Sequence, residues 1–267
     1  MSEVFNVVRR KEFGPYDACL FYFVALRMKS IFILLTLLSF GIVAKAQKNP
    51  VIIELFTSQG CSSCPAADKN LTELLKKATT ESEQVYGLSF HVDYWNYIGW
   101  KDPYSSKQFT ARQQAYRDHL EAESTYTPQM IVNGTTEFVG SNKKASEQAI
   151  AAALRSRPKY NISILKLKSQ AGSIKIQYAI DGQPMGEVIN MALVERSVEN
   201  YVPRGENTGK KLHHDNVVRA FRTSILTSKD ELEIAISEID FSKTSIVLYI
   251  QDSQMRVLGA TSVEVGK

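Results

Sequence analysis

Cys61 and Cys64 stand two residues apart in FTSQGCSSCPAAD, directly after an apolar run. Thiols at this spacing support three kinds of chemistry: a dithiol–disulfide couple, half of a metal site, or a structural bridge. A bridge across so short a spacer closes a very small loop and adds little chain-entropy stabilisation, which favours redox use over stapling. A metal site would need two more ligands. Besides His119, the candidates are His91 and the adjacent His213 and His214. Neighbouring residues in a strand point to opposite faces, so both histidines of that pair rarely reach one ion. The expectation is a redox pair with no metal and no cofactor.

The flanking sequence says how the pair is held. Residues 51–56, VIIELF, form a short β-branched run of the kind found in a strand covered on both faces. Residues 64–78 carry Ala67, Leu71, Leu74, Leu75 and Ala78 at spacings of three and four, one face of a helix, with Pro65 in its first turn. The cysteines therefore sit at a helix N-terminus, where free backbone N–H groups and the helix dipole favour a thiolate. Cys61 is the expected nucleophile, with a pKa lowered from the ordinary value of about 8.5. Cys64, one turn later and more buried, is the expected resolving thiol. Glu54 in the first strand is a candidate for accepting or relaying the Cys64 proton, unless it lies solvated at a sheet edge.

Further elements follow in alternation. Residues 85–92 read as a strand, 105–122 as a helix, 129–132 and 136–139 as strands around the Asn133-Gly134 turn, and 144–155 as a helix. The order β-α-β-α-β-β-α is that of a thioredoxin-like fold. Thr127-Pro128 directly precedes the third strand, where such folds place a cis-proline beside the cysteines. Both residues are expected to contact substrate. The loop DYWNYIGWKDPY leaves from the same sheet edge as the cysteines. Tyr94 and Trp95 in it are expected either to wall a substrate groove or to cap the core.

After residue 158 the helical period ends. Residues 162–168, 174–180, 188–195, 217–226, 232–239, 245–251 and 257–265 all read as strands, which suggests a β-sandwich-like domain. The stretch NYVPRGENTGKKLHHDN, residues 200–216, reads as irregular. It is expected to reach the cysteine face with its two histidines, or to be a remote surface loop.

The N-terminus carries an address. MKSIFILLTLLSFGIVAKAQ begins at Met28 and ends its apolar run at Ala44-Lys45-Ala46, a signal-peptidase pattern. Residues 28–46 are expected to be a signal peptide and 1–27 an extension ahead of the true start. The apolar run is shorter than the roughly 20 residues that span a bilayer, so no stable membrane span is expected in the mature chain. The first 46 residues hold six of the 32 Lys/Arg and three of the 28 Asp/Glu, leaving 26 against 25. A balance so near neutral points away from nucleic acid. Cys19 falls in the removed part, so the exported protein keeps only Cys61 and Cys64, in a compartment where disulfides persist.

ELFTSQGCSSCPAAD, HVDYWNYIGWKDPYS, TPQMIVNG and RGENTGKKLHHDNVVR together resemble a secreted thioredoxin-like family catalogued as domain of unknown function 1223. The resemblance covers nearly all of the mature chain. It implies a thioredoxin-like domain at 47–158 carrying the cysteine pair and a β-rich domain at 159–267, and it implies no substrate. The expected function is an exported, periplasmic or secreted thiol–disulfide oxidoreductase acting on protein or small thiols. Its partners would be an exported thiol or disulfide substrate and a membrane redox partner. The alternative is a metal-binding chaperone or a non-catalytic interaction protein on the same scaffold.

Overall fold

The computed structural model describes residues 49–170, 172–236 and 239–266. The extension and signal peptide expected at 1–27 and 28–46 lie outside the described residues. The first half runs β1 (Val51–Thr57), α1 (Cys64–Thr80), β2 (Val85–His91), α2 (Lys107–His119), β3 (Gln129–Val132), β4 (Thr136–Val139) and α3 (Lys143–Ala153). α2 is shorter than the residues 105–122 expected. The Ser106 side chain accepts the Gln108 N–H and starts the helix, and Glu121 takes a left-handed φ just past its end.

β1 pairs with β2 in parallel and with β3 antiparallel, and all seven of its residues are buried. Its side chains alternate between two layers. Val51, Ile53 and Leu55 meet Ala67, Leu71 and Leu74 of α1. Ile52 and Phe56 meet Leu88, Phe90, Phe109 and Tyr116 on the α2 side. The Thr127–Pro128 bond ahead of β3 is cis.

The second half runs β5 (Ile162–Gln170), β6 (Ser173–Ile180), β7 (Val188–Glu195), β8 (Val198–Tyr201), β9 (Lys211–His214), β10 (Val217–Ile225), β11 (Lys229–Ala235), β12 (Thr244–Gln251) and β13 (Val257–Glu264). The division at residue 158 into two separate domains is not what forms. One eight-stranded sheet runs β13-β12-β7-β10-β2-β1-β3-β4 through both halves. The joint is at β2, whose Ser89 N–H donates to the Asn216 carbonyl at 2.9 Å, while the Asn216 side chain donates to the Gly87 carbonyl at 3.0 Å. An open strand edge is thereby closed by the chain itself. Ala192, Val194, Val218, Val247 and Tyr249 from the second half share one core with Phe56, Phe90, Phe109 and Tyr116 from the first. The result is a mixed α/β fold dominated by its sheet.

β11, β6 and β5 form a separate three-stranded sheet. Ile174, Ile176 and Tyr178 of β6 pack against Ile189, Met191 and Leu193 of β7 and Ile246, Leu248 and Ile250 of β12. The stretch 200–216, read as irregular, in fact holds the end of β8 and all of β9, which pair as an antiparallel two-stranded ribbon. No described helix is long and apolar enough to cross a membrane.

Candidate functional site

β1 ends at Thr57 and the chain turns tightly into α1. Cys61 N–H donates to the Ser58 carbonyl and Cys64 N–H to the Cys61 carbonyl, each at 3.2 Å. Cys61 and Cys64 are bridged, with Cα atoms 5.4 Å apart, and Cys64 opens the helix. A Cβ on Gly60 would fall 2.6 Å from Ile98 Cδ1 and 3.3 Å from Trp95 Cβ, so a larger residue would push the Ile98 side chain aside. The missing Cβ lets the aromatic loop close against the cysteine turn.

Cys61 Sγ lies 3.3 Å from Ser63 Oγ and 3.9 Å from the Thr127 carbonyl oxygen. The Trp95 indole N–H donates to Thr127 Oγ1 at 2.8 Å. Cys61, Cys64, Trp95, Thr127 and Pro128 therefore converge, although the last two stand more than sixty positions from the first. Tyr94 packs against the core on the α2 side, as Trp95 does, and its hydroxyl lies beside Gln113 and Thr127. Tyr97, stacked on Trp95 with ring centroids 6.3 Å apart, is the outward aromatic of the loop.

Cys64 was expected to be the more buried of the pair, and in the structure both are enclosed: Cys61 is 1% exposed and Cys64 0%. The cover is the segment between β8 and β9. Asn207, fully buried, donates through Nδ2 to the Gln59 carbonyl at 3.0 Å and the Cys61 carbonyl at 2.8 Å. Glu206 accepts the Ser62 N–H at 2.9 Å, and this pairing holds its carboxyl below the usual range. Asn200 donates to Gln59 Oε1 at 3.0 Å. The polar stretch does reach the cysteine face, but through Glu206 and Asn207. The clue in the sequence was GENTG, whose glycines allow the tight turn: Gly205 and Gly209 both have positive φ. His213 points outward to Asp215 at 3.1 Å, and His214 points inward.

Glu54 departs from its expected role. It is 1% exposed, so it is buried as anticipated, but it belongs to the α2 face of β1 while the cysteine helix covers the opposite face. Arg112 Nε donates to Glu54 Oε2 at 2.6 Å and Arg112 Nη2 to Oε1 at 2.7 Å, and the Tyr116 hydroxyl donates to Oε1 at 2.7 Å. Burial, then the Glu54 charge, holds the Tyr116 and Tyr249 hydroxyls well above the ordinary phenol range, so both stay protonated donors. A carboxylate so engaged, on the wrong side of the sheet, is a structural anchor and not a proton relay for Cys64.

Asp102 anchors the other side of the cysteine turn. It accepts from Gln59 N at 2.9 Å, Gln59 Nε2 at 3.0 Å and Tyr104 N at 3.0 Å, and His91 Nδ1 stands 2.7 Å from it. Burial raises its pKa, but His91 and the backbone donors outweigh burial and hold it far below the usual carboxylate range. The unfolded value is about 3.9. The stabilisation is therefore complete above that pH and is lost as pH falls through the depressed folded value. Asp102→Asn should lower stability at neutral pH. It should also flatten the acid side of a pH–stability curve below about pH 4, by up to about 1.4 kcal/mol per pH unit. Urea melts between pH 2 and 6 check this, and an unchanged slope would show that Asp102 is not the group that titrates.

The family model described as a protein of unknown function, DUF1223, matches residues 52–251, most of the chain and every element of this site. The chain belongs to that family. It is similar to a crystal structure of an Agrobacterium tumefaciens protein at 28% identity, covering 83% of this chain and 97% of that one with a TM-score of 0.60. A β-glucuronidase from Ruminococcus gnavus overlaps 40% of this chain and 16% of its own at 14% identity, with a TM-score of 0.23 that supports no common architecture. No curated protein matches the chain. Family membership thus brings no activity with it, and chemistry has to be argued from the cysteine turn.

Proposed function

We propose that this chain is an exported thiol–disulfide oxidoreductase built on a thioredoxin-like arrangement, with Cys61 as the attacked and attacking sulfur and Cys64 as its resolving partner. The observation that carries the reading is the bridge at the N-terminus of α1, with the Ser63 hydroxyl 3.3 Å and the Thr127 carbonyl 3.9 Å from the Cys61 sulfur. An incoming thiolate attacks Cys61 Sγ, the Cys61–Cys64 bond breaks, and Cys64 leaves as a thiolate that takes up a proton. In the other direction Cys61 attacks a substrate disulfide and Cys64 resolves the mixed disulfide. The free N–H groups at the helix start and the Ser63 hydroxyl stabilise negative charge on Cys61. The export part rests on the leader-like residues 28–46.

The near-complete burial of Cys61 favours a second reading, a closed structural bridge. One measurement separates the two: the reduction potential of the pair in the purified protein, equilibrated against glutathione and followed by thiol alkylation. A value between about −120 and −270 mV supports exchange, the upper end as disulfide donor and the lower as reductant. Resistance to reduction beyond about −300 mV makes the bridge structural and removes the enzyme reading.

A further inference from the structure

A second group of titratable side chains lies on the α1 face of the sheet, and the steps above leave it unused. Asp68 of α1, His91 of β2 and His214 of β9 are 4%, 0% and 0% exposed. His214 Nδ1 is 3.4 Å from Asp68 Oδ2. The His214 and His91 rings meet edge to face with centroids 4.8 Å apart, and His91 Nδ1 is 2.7 Å from Asp102. The series Asp68, His214, His91, Asp102 runs from the helix of Cys64 to the Gln59 N–H in the turn of Cys61.

Its inner atoms are poorly satisfied. Both Asp68 oxygens, both His214 nitrogens and His91 Nε2 are buried without a hydrogen-bond partner. Folded proteins rarely leave such atoms, and a cluster of them calls for a role. Among the described residues no three His, Cys, Asp or Glu side chains converge to hold a metal ion. The redox group on the same helix as Asp68 is Cys64. Cys64 and Asp68 are one helical turn apart, both buried, which sets their Cβ atoms about 5–6 Å apart.

We infer that His214, oriented by Asp68, carries the proton of Cys64. The inference rests on the exchange reading of the cysteine pair. When an external thiolate attacks Cys61, the bond between the sulfurs breaks and Cys64 leaves with the electron pair. The His214 imidazolium then gives it a proton and remains as imidazole beside the Asp68 carboxylate. In the reverse step imidazole takes the Cys64 proton as the sulfur attacks the mixed disulfide and expels the substrate thiolate. A fully buried thiolate is otherwise costly, because desolvation disfavours its charge. The charges around His214 suit the task. Burial works against its charge, but Asp68 from α1, Asp102 behind His91 of β2, and Asp215 beside it outweigh burial and raise its pKa above the ordinary value. Asp68 is a positioning residue in this scheme. His91 lies between His214 and Asp102.

The test uses the reduced full chain mixed with dithiobis(nitrobenzoate) in a stopped-flow instrument. The first nitrothiobenzoate leaves as Cys61 attacks, in a bimolecular phase. The second leaves as Cys64 resolves the mixed disulfide, in a unimolecular phase. His214→Gln should slow the second phase about a hundredfold near neutral pH, the scale of general acid–base catalysis. It should leave the first phase within about twofold. The midpoint of the second-phase pH profile should rise to that of an unassisted thiol, about 8.5 or higher. Asp68→Asn should move rate and midpoint in the same direction by less. A second phase with the wild-type rate and profile in both variants overturns the relay and leaves the exchange reading standing. If wild type releases no second nitrothiobenzoate, the exchange reading fails and the relay with it. Should neither variant fold, the wild-type profile decides: a midpoint at or above about 8.5 overturns the relay, and one clearly below it supports it.

Discussion

Arg112→Met should destabilise the fold by about 3–5 kcal/mol, the cost of leaving a buried charge without its partner. Arg112 reaches Glu54 with two nitrogens, and one of them also meets Tyr249 and Gln251 at 2.9 Å each. The guanidinium lies over the Phe221 ring at 4.8 Å. One side chain of α2 thus ties β1 to β10 and β12, the strands that carry the second half of the sheet. Methionine keeps most of the volume and removes every donor, and the Glu54 carboxylate is then stranded at 1% exposure. For a chain of this length the loss corresponds to a fall in Tm of about 6–20 °C. The double variant Glu54→Gln/Arg112→Met should recover a substantial part, because it removes the unpaired charge. Urea melts of the three variants give the comparison. Additive losses in the double variant would show that the pair is not coupled. Glu54→Gln alone should leave the pH profile of thiol exchange where it is, which separates an anchor from a relay.

The cysteine turn was legible in the sequence because its signals are local. The strand run, Pro65 in the first helical turn, the helical spacing of Leu71 and Leu74, and Thr127-Pro128 before the third strand each have a short-range cause. The partner of Glu54 had none. Tyr249 reaches it across 195 positions of chain, and a lone arginine in a helix reads as a solvated residue. The union of the two halves was equally silent. It depends on one parallel register pair, Val217 with Ser89, and on an asparagine that any loop could hold. β9 was missed because a strand of four residues, KLHH, shows no apolar alternation until its buried members are known to be Leu212 and His214. A histidine in the position of a core residue is what hid both the strand and the inner proton group.

Asn207→Ala should raise the rate at which a bulky thiol reduces the Cys61–Cys64 bridge by about ten- to thirtyfold. In the resting structure no thiolate can approach Cys61, since the residue is 1% exposed beneath the β8–β9 segment. Exchange must therefore begin from a form in which that segment has lifted. Asn207 holds it down with two hydrogen bonds to the carbonyls of Gln59 and Cys61, and Lys210 holds Asn207 in turn through Oδ1 at 2.9 Å. Each neutral hydrogen bond contributes about 1 kcal/mol net. Losing two raises the open population by about that ten- to thirtyfold factor, and an exchange that draws on the open form rises with it. The Gly205 contact with Ile98 and the Glu206 bond to Ser62 N–H remain, so the segment still has a seat to return to. The rate is read by following bridge reduction with alkylation at fixed thiol concentration, for wild type and variant. An unchanged rate would mean that thiols reach the sulfur by another path. A variant bridge that stays inert while hydrogen exchange shows the segment open would identify the bridge as structural. An accelerated variant would place control of the redox pair in the second half of the chain, where the sheet continues and the ribbon begins.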